Sequence, residues 1–139
     1  MSPFELFLSS LRKTVVEIHC EDAAKAVQTG LALLIDIREQ NEWQQAHIPG
    51  SIHLARSMIE IQIGAVVPNL ETPIILYCSG GIRSLLAAEN LQRIGYTEVK
   101  SLAGGCKSWC NAGLPFLQQS LTVAIFVFLS ASLSLTRAM

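Results

Sequence analysis

Charge is scarce in this sequence. Only 15% of its 139 residues are charged and the net charge is −1, where an average soluble domain carries about 25% charged residues. There is no basic stripe, aromatic platform or Cys/His finger spacing, which excludes nucleic acid as a partner. No secretory signal opens the chain: Phe4–Leu8 is broken by Glu5 and followed by Arg12 and Lys13, the reverse of the signal-peptide order. The four cysteines, Cys20, Cys78, Cys106 and Cys110, are irregularly spaced, so free thiols in a reducing, cytoplasmic setting are expected. Cys106-x-x-x-Cys110 has neither a second pair nor clustered histidines, and no metal site is expected from it. Both cysteines are read as small core residues, with a resolving thiol for Cys78 as the alternative. No internal repeat is present.

What the chain does have is apolar residues, half of the total, in one domain's length. After an N-terminal helical lead-in over residues 1–13, strands are predicted at Val15–Ile18, Leu31–Ile37, Ser51–Leu54, Ile74–Tyr77 and Val99–Leu102. Helices are predicted at Glu21–Val27, Glu39–Gln45, Ser57–Val67, Ser84–Ile94 and Cys106–Asn111. Continuous apolar runs such as Leu31–Ile37 suit strands covered on both faces. Alternating strands and helices predict an α/β fold, a mostly parallel central sheet of about five strands flanked by helices. The domain is placed at residues 14–116.

The densest chemistry lies in Cys78-Ser79-Gly80-Gly81-Ile82-Arg83. A cysteine at the end of a buried strand, two glycines and then a helix start bring a thiol to a curl of main-chain amides. The helix adds its positive end, so the thiol is expected to ionise below the free-cysteine range. Arg83 closes the loop with a permanent cation, suited to substrate charge or to clamping the loop. Ser84 is assigned as a cap of the following helix. Packing alone is the bland reading of such a cysteine.

Three segments in register resemble the rhodanese family of sulfurtransferases. Leu34–Glu39 with Glu42-Trp43 and His47–Ile52 is similar to the family's first signature, and Tyr77–Ser84 to its active-site loop. Leu102–Gly105 with Trp109 and Gly113–Pro115 is similar to its closing signature. The resemblance runs from about Val15 to Pro115. It implies that Cys78 takes a sulfane sulfur from a small donor anion such as thiosulfate and hands it as a persulfide to cyanide, a thiol or a protein cysteine, with no cofactor. Ser79, Gly80, Gly81, Ile82, Arg83 and Ser84 would hold the substrate. Asp36 and Arg38 are read as a salt-bridged brace rather than an acid/base pair, and His47 as a backbone hydrogen-bonding residue in its turn; all three are supporting. Trp109 is read as core or pocket wall, and His19 and His53 as incidental. Ser79 stands where some members that favour thiosulfate carry a basic residue, which leaves the donor open. The rivals are a non-catalytic docking or regulatory module and a Cys-dependent phosphatase or arsenate reductase, whose Cys-x-x-x-x-x-Arg loop is one residue longer.

The tail over residues 117–139 differs in kind. Ser120–Thr136 holds 17 uncharged residues, at the lower edge of the roughly 17–25 a bilayer crossing needs. An apolar C-terminal helix is expected there. Membrane attachment through residues 120–136 is one reading and a packed or partner-covered helix the other.

Overall fold

The computed structural model describes residues 1–118. The expected apolar C-terminal helix and membrane segment 120–136 lie outside the described residues. Among the described residues, no helix is long and apolar enough to cross a membrane.

Five strands form one parallel sheet: β1 (Val16–Ile18), β2 (Leu33–Asp36), β3 (Ile52–His53), β4 (Ile74–Tyr77) and β5 (Val99–Leu102), in the order β1-β5-β4-β2-β3. Among the described residues six helices connect and flank them: α1 (Pro3–Thr14), α2 (Cys20–Gln28), α3 (Gln40–Gln45), α4 (Ile59–Val66), α5 (Ile82–Ile94) and α6 (Gly105–Asn111). The expected α/β architecture is therefore the one observed. Alternation along β4 divides the core. Ile74, Leu76 and Cys78 pack with α4 and α5, while Ile75 and Tyr77 pack with α2 and α6, the period-two consequence of a pleated strand. Because β4 lies in mid-sheet, all four of its residues are buried.

Local signals explain the helix ends. Ser2 and Glu5 cap α1 reciprocally, with Pro3 in its first turn and Arg12 and Lys13 in its last, each favourable to the helix dipole. This helix does more than lead in: Leu11 is buried and Leu8 packs against the core. Boundaries shift elsewhere. β2 is shorter than its apolar run because the amides of Leu31 and Ala32 bond back to the Ala26 carbonyl of α2 rather than to a neighbouring strand. α5 begins at Ile82, two residues before the expected start, because Gly81 at φ +97° takes the N-cap position.

Candidate active site

Cys78 directly follows β4, beyond the carboxyl ends of the strands, where sheets of this kind hold their ligands. Its side chain is buried. The Gly81 amide donates to Sγ at 3.2 Å, and the Ser84 hydroxyl lies 3.5 Å from it. Among the described residues one main-chain amide, that of Gly81, donates to the sulfur where a curl of amides was expected, and it belongs to the N-cap of α5, the positive end of that helix. Gly80 and Ile82 are the exposed residues of the loop, and an added Cβ at Gly80 would meet nothing within 4 Å.

The loop is held from two directions. Ser84, fully buried, donates to the Gly81 carbonyl at 3.2 Å and meets the Ser101 hydroxyl of β5 at 2.7 Å. This corrects the capping assignment: Ser84 lies in the first turn of α5, its hydroxyl donating back to the N-cap carbonyl while Gly81 is the N-cap. From the other side, the amides of Cys106 and Lys107 donate to the carbonyls of Cys78 and Ser79 at 2.8 and 3.1 Å. Gly104 and Gly105, at φ +72° and +61°, turn the chain so that α6 can approach this closely. A Cβ on Gly105 would collide with the main-chain oxygens of Cys78 and Ser79.

Arg83 clamps the loop. Its guanidinium bonds to both carboxylate oxygens of Glu42 at 3.2 and 3.3 Å and to the Ser79 hydroxyl at 3.3 Å. The hydrogen bond from Arg83 holds the Glu42 carboxyl below its ordinary value, and the same bond raises the guanidinium. Glu42 is the functional candidate that sequence reasoning passed over. It stands 41 residues from Arg83, and only the fold brings the two together.

Asp36 and Arg38 form the expected brace. Both are buried, and Arg38 Nη2 and Nε bond to Asp36 Oδ2 at 2.8 and 3.1 Å. Nη2 also donates to the Ala46 carbonyl at 2.6 Å. Burial alone would lower the Arg38 pKa, but its hydrogen bonds and attraction to Asp36 carry it above the ordinary value. The guanidinium lies 5.9 Å from the centre of the Tyr77 ring and 5.5 Å from that of Phe116. His47 bonds through Nδ1 to the Trp43 carbonyl at 2.9 Å and stacks on the Trp43 ring. Residues 78–84 thus form one loop and helix start, while Arg38 bonds to Asp36 and the Ala46 carbonyl and His47 to the Trp43 carbonyl.

His53, read as incidental, bonds through Nε2 to the Arg38 carbonyl at 2.8 Å and stacks on Trp43. Trp109 is buried and donates to the Pro115 carbonyl at 2.7 Å. It also lines an apolar cavity of about 130 Å³ with Ala24, Val27, Ile48 and Pro49. Cys106 is a core residue as expected, with burial pushing its thiol up. Cys110 is not, for it is exposed on α6. Among the described residues no group of His, Cys, Asp or Glu side chains could hold a metal ion.

Comparison with known proteins agrees with this geometry. The chain is 34% identical over 100 residues to the thiosulfate sulfurtransferase GlpE of Haemophilus influenzae, covering 71% of this chain and 91% of that protein. It is 35% identical to GlpE of Coxiella burnetii, covering 55% and 70% respectively. Bacillus subtilis YqhL is 37% identical, the match covering 56% of this chain and 60% of that protein. Among solved structures, a Rhodopseudomonas palustris protein described as a possible tyrosine phosphatase superposes with a TM-score of 0.75 at 27% identity, covering 84% of this chain and 96% of that one. The rhodanese-like domain matches residues 19–112, and the chain belongs to that family.

Proposed function

We propose that this protein is a sulfurtransferase that carries one sulfane sulfur as a persulfide on Cys78. The observation that carries the reading is the position of the Cys78 sulfur, under the Gly81 amide at the start of α5. An amide and a helix start stabilise an anionic sulfur. In the first half-reaction the Cys78 thiolate attacks the outer sulfur of a donor. With thiosulfate, the S–S bond of the donor breaks, its electron pair leaves with sulfite, and Cys78 retains the sulfur as a persulfide anion. In the second, cyanide or a thiolate attacks that outer sulfur, leaves as thiocyanate or a new persulfide, and returns Cys78 to thiolate. Charge balances in each step without an oxidant, and the two-step course predicts ping-pong kinetics. Arg83, Ser79 and Ser84 hold the loop's shape through both halves, and Asp36, Arg38 and His47 brace the neighbouring turn.

Intact-mass spectrometry after incubation with a sulfane donor tests this. A gain of about 32 Da, one sulfur atom, located on Cys78 and discharged by cyanide as thiocyanate, is expected. Cys78→Ser loses the gain and the turnover while keeping its unfolding transition. Hydrolysis of an aryl phosphate with no thiocyanate formed would favour the phosphatase reading, and no mass gain with any donor would favour a docking module.

A further inference from the structure

The cation of the Cys78 loop is turned onto a carboxylate. Arg83 Nη1 and Nη2 bond to Glu42 Oε2 and Oε1, and the Ser79 hydroxyl joins the same group, donating to Oε1 at 3.4 Å. Glu42 is fixed by a further bond from its own helix: the Glu39 amide donates to Oε2 at 2.8 Å, half of the capping box that starts α3. The carboxylate is therefore delivered to the loop by a separate, pre-formed element. Of the other cations near the strand ends, Arg38 is taken up by Asp36 and Arg56 by Glu60, while Lys107, whose amide bonds to the Ser79 carbonyl, is exposed. A small dianion approaching Sγ meets a neutralised guanidinium with a carboxylate beside it. It must displace Glu42 from Arg83 or sit against a like charge, and both weaken its binding.

We infer that Glu42 is a specificity-determining residue that sets the Cys78 site against small dianionic donors such as thiosulfate and in favour of organic persulfides, which carry at most one charge at the sulfur. The inference rests on the sulfur-transfer reading above and names its donor class. The pair is partly exposed, the side chains of Arg83 and Glu42 being 36% and 30% accessible. Glu42 thus biases the choice of donor rather than sealing the loop.

The test compares thiosulfate with mercaptoethanol persulfide as donors to the full-length protein, before and after Glu42→Gln. Glutamine keeps an acceptor for the Glu39 amide, so the capping box survives, and only the charge is removed. The ratio of kcat/KM for thiosulfate to that for the persulfide is expected to rise about tenfold, through a lower KM for thiosulfate rather than a higher kcat. Glu42→Met, which lacks both the charge and the hydrogen bonds, should move the ratio the same way if charge is the cause. A ratio unmoved in both variants, with Cys78 still acquiring sulfur, overturns the role of Glu42 and leaves the transfer reading standing. Failure of Cys78 to acquire sulfur from either donor, in the wild type and the variants, overturns both.

Discussion

The Glu42 carboxylate is held below its ordinary value first by its hydrogen bond from Arg83 and, in the same direction, by the Glu39 amide. Its proton is therefore bound more weakly in the folded chain than in the unfolded one. The stabilisation this gives is fully present above the ordinary glutamate value near 4.5 and is lost as pH falls below it through the lowered value. Because the pair is about a third exposed, the contribution stays under about 1 kcal/mol. Urea unfolding at about pH 7 and about pH 3 should show Glu42→Gln less stable than the wild type at the higher pH, with a smaller gap at the lower. A gap of the same size at both pH values would mean the carboxylate acts through packing instead. Sequence reading found Arg83 and missed its partner for a physical reason. Periodicity and motif spacing report what lies near in the chain, whereas this pair closes only when α3 and α5 meet across the strand ends. The Asp36–Arg38 brace was legible because both its ends lie two residues apart.

At the scale of elements, strands read more clearly than helix ends. Ile74–Tyr77 falls where its apolar run predicts, since burial on both faces leaves a continuous signal, and Val99–Leu102 keeps its predicted bounds although it holds Lys100 and Ser101. The start of α5 was misplaced because the N-cap is a glycine defined by its φ of +97°, a property that residue identity alone does not announce. The Gly104-Gly105 pair was visible within the closing signature, but not its task. Gly105 lets the first turn of α6 donate to the Cys78 and Ser79 carbonyls, and a side chain there has no room. Gly105→Ala combines a left-handed backbone with a collision against main-chain atoms, and is expected to cost more than about 1 kcal/mol. The loop should suffer more than the fold: α6 withdraws, the carbonyls lose their donors, and sulfur loading of Cys78 falls by an order of magnitude or more. Thermal unfolding and persulfide mass, measured on the same sample, separate these effects. Full loading with only a lowered Tm would show that α6 supports the domain without shaping the loop.

Across the whole molecule, the end of the described chain turns back onto the site. After α6, the Trp109 indole donates to Pro115, Phe116 lies against Arg38, and Leu117 exchanges main-chain hydrogen bonds with His47 at 3.2 Å each. Leu114 and Phe116 also pack on the buried cluster of Trp109, Tyr77 and Ile48. The segment thus closes one face of the core and steadies the turn that follows α3, the helix presenting Glu42. The family match ends at residue 112, so Leu114, Phe116 and Leu117 lie past its end. Two shortened chains, ending at residue 118 and at residue 113, test what the segment contributes. The first keeps every contact named here and is expected to unfold cooperatively with Cys78 still able to load sulfur. The second strips an acceptor from a buried indole and exposes apolar surface, each worth about 1–3 kcal/mol. It should melt several degrees lower and load Cys78 more slowly, as the Ala46–His47 turn behind the loop loosens. Equal melting of the two chains would place the working boundary of the domain at α6 and make the return of residues 114–118 to His47 incidental.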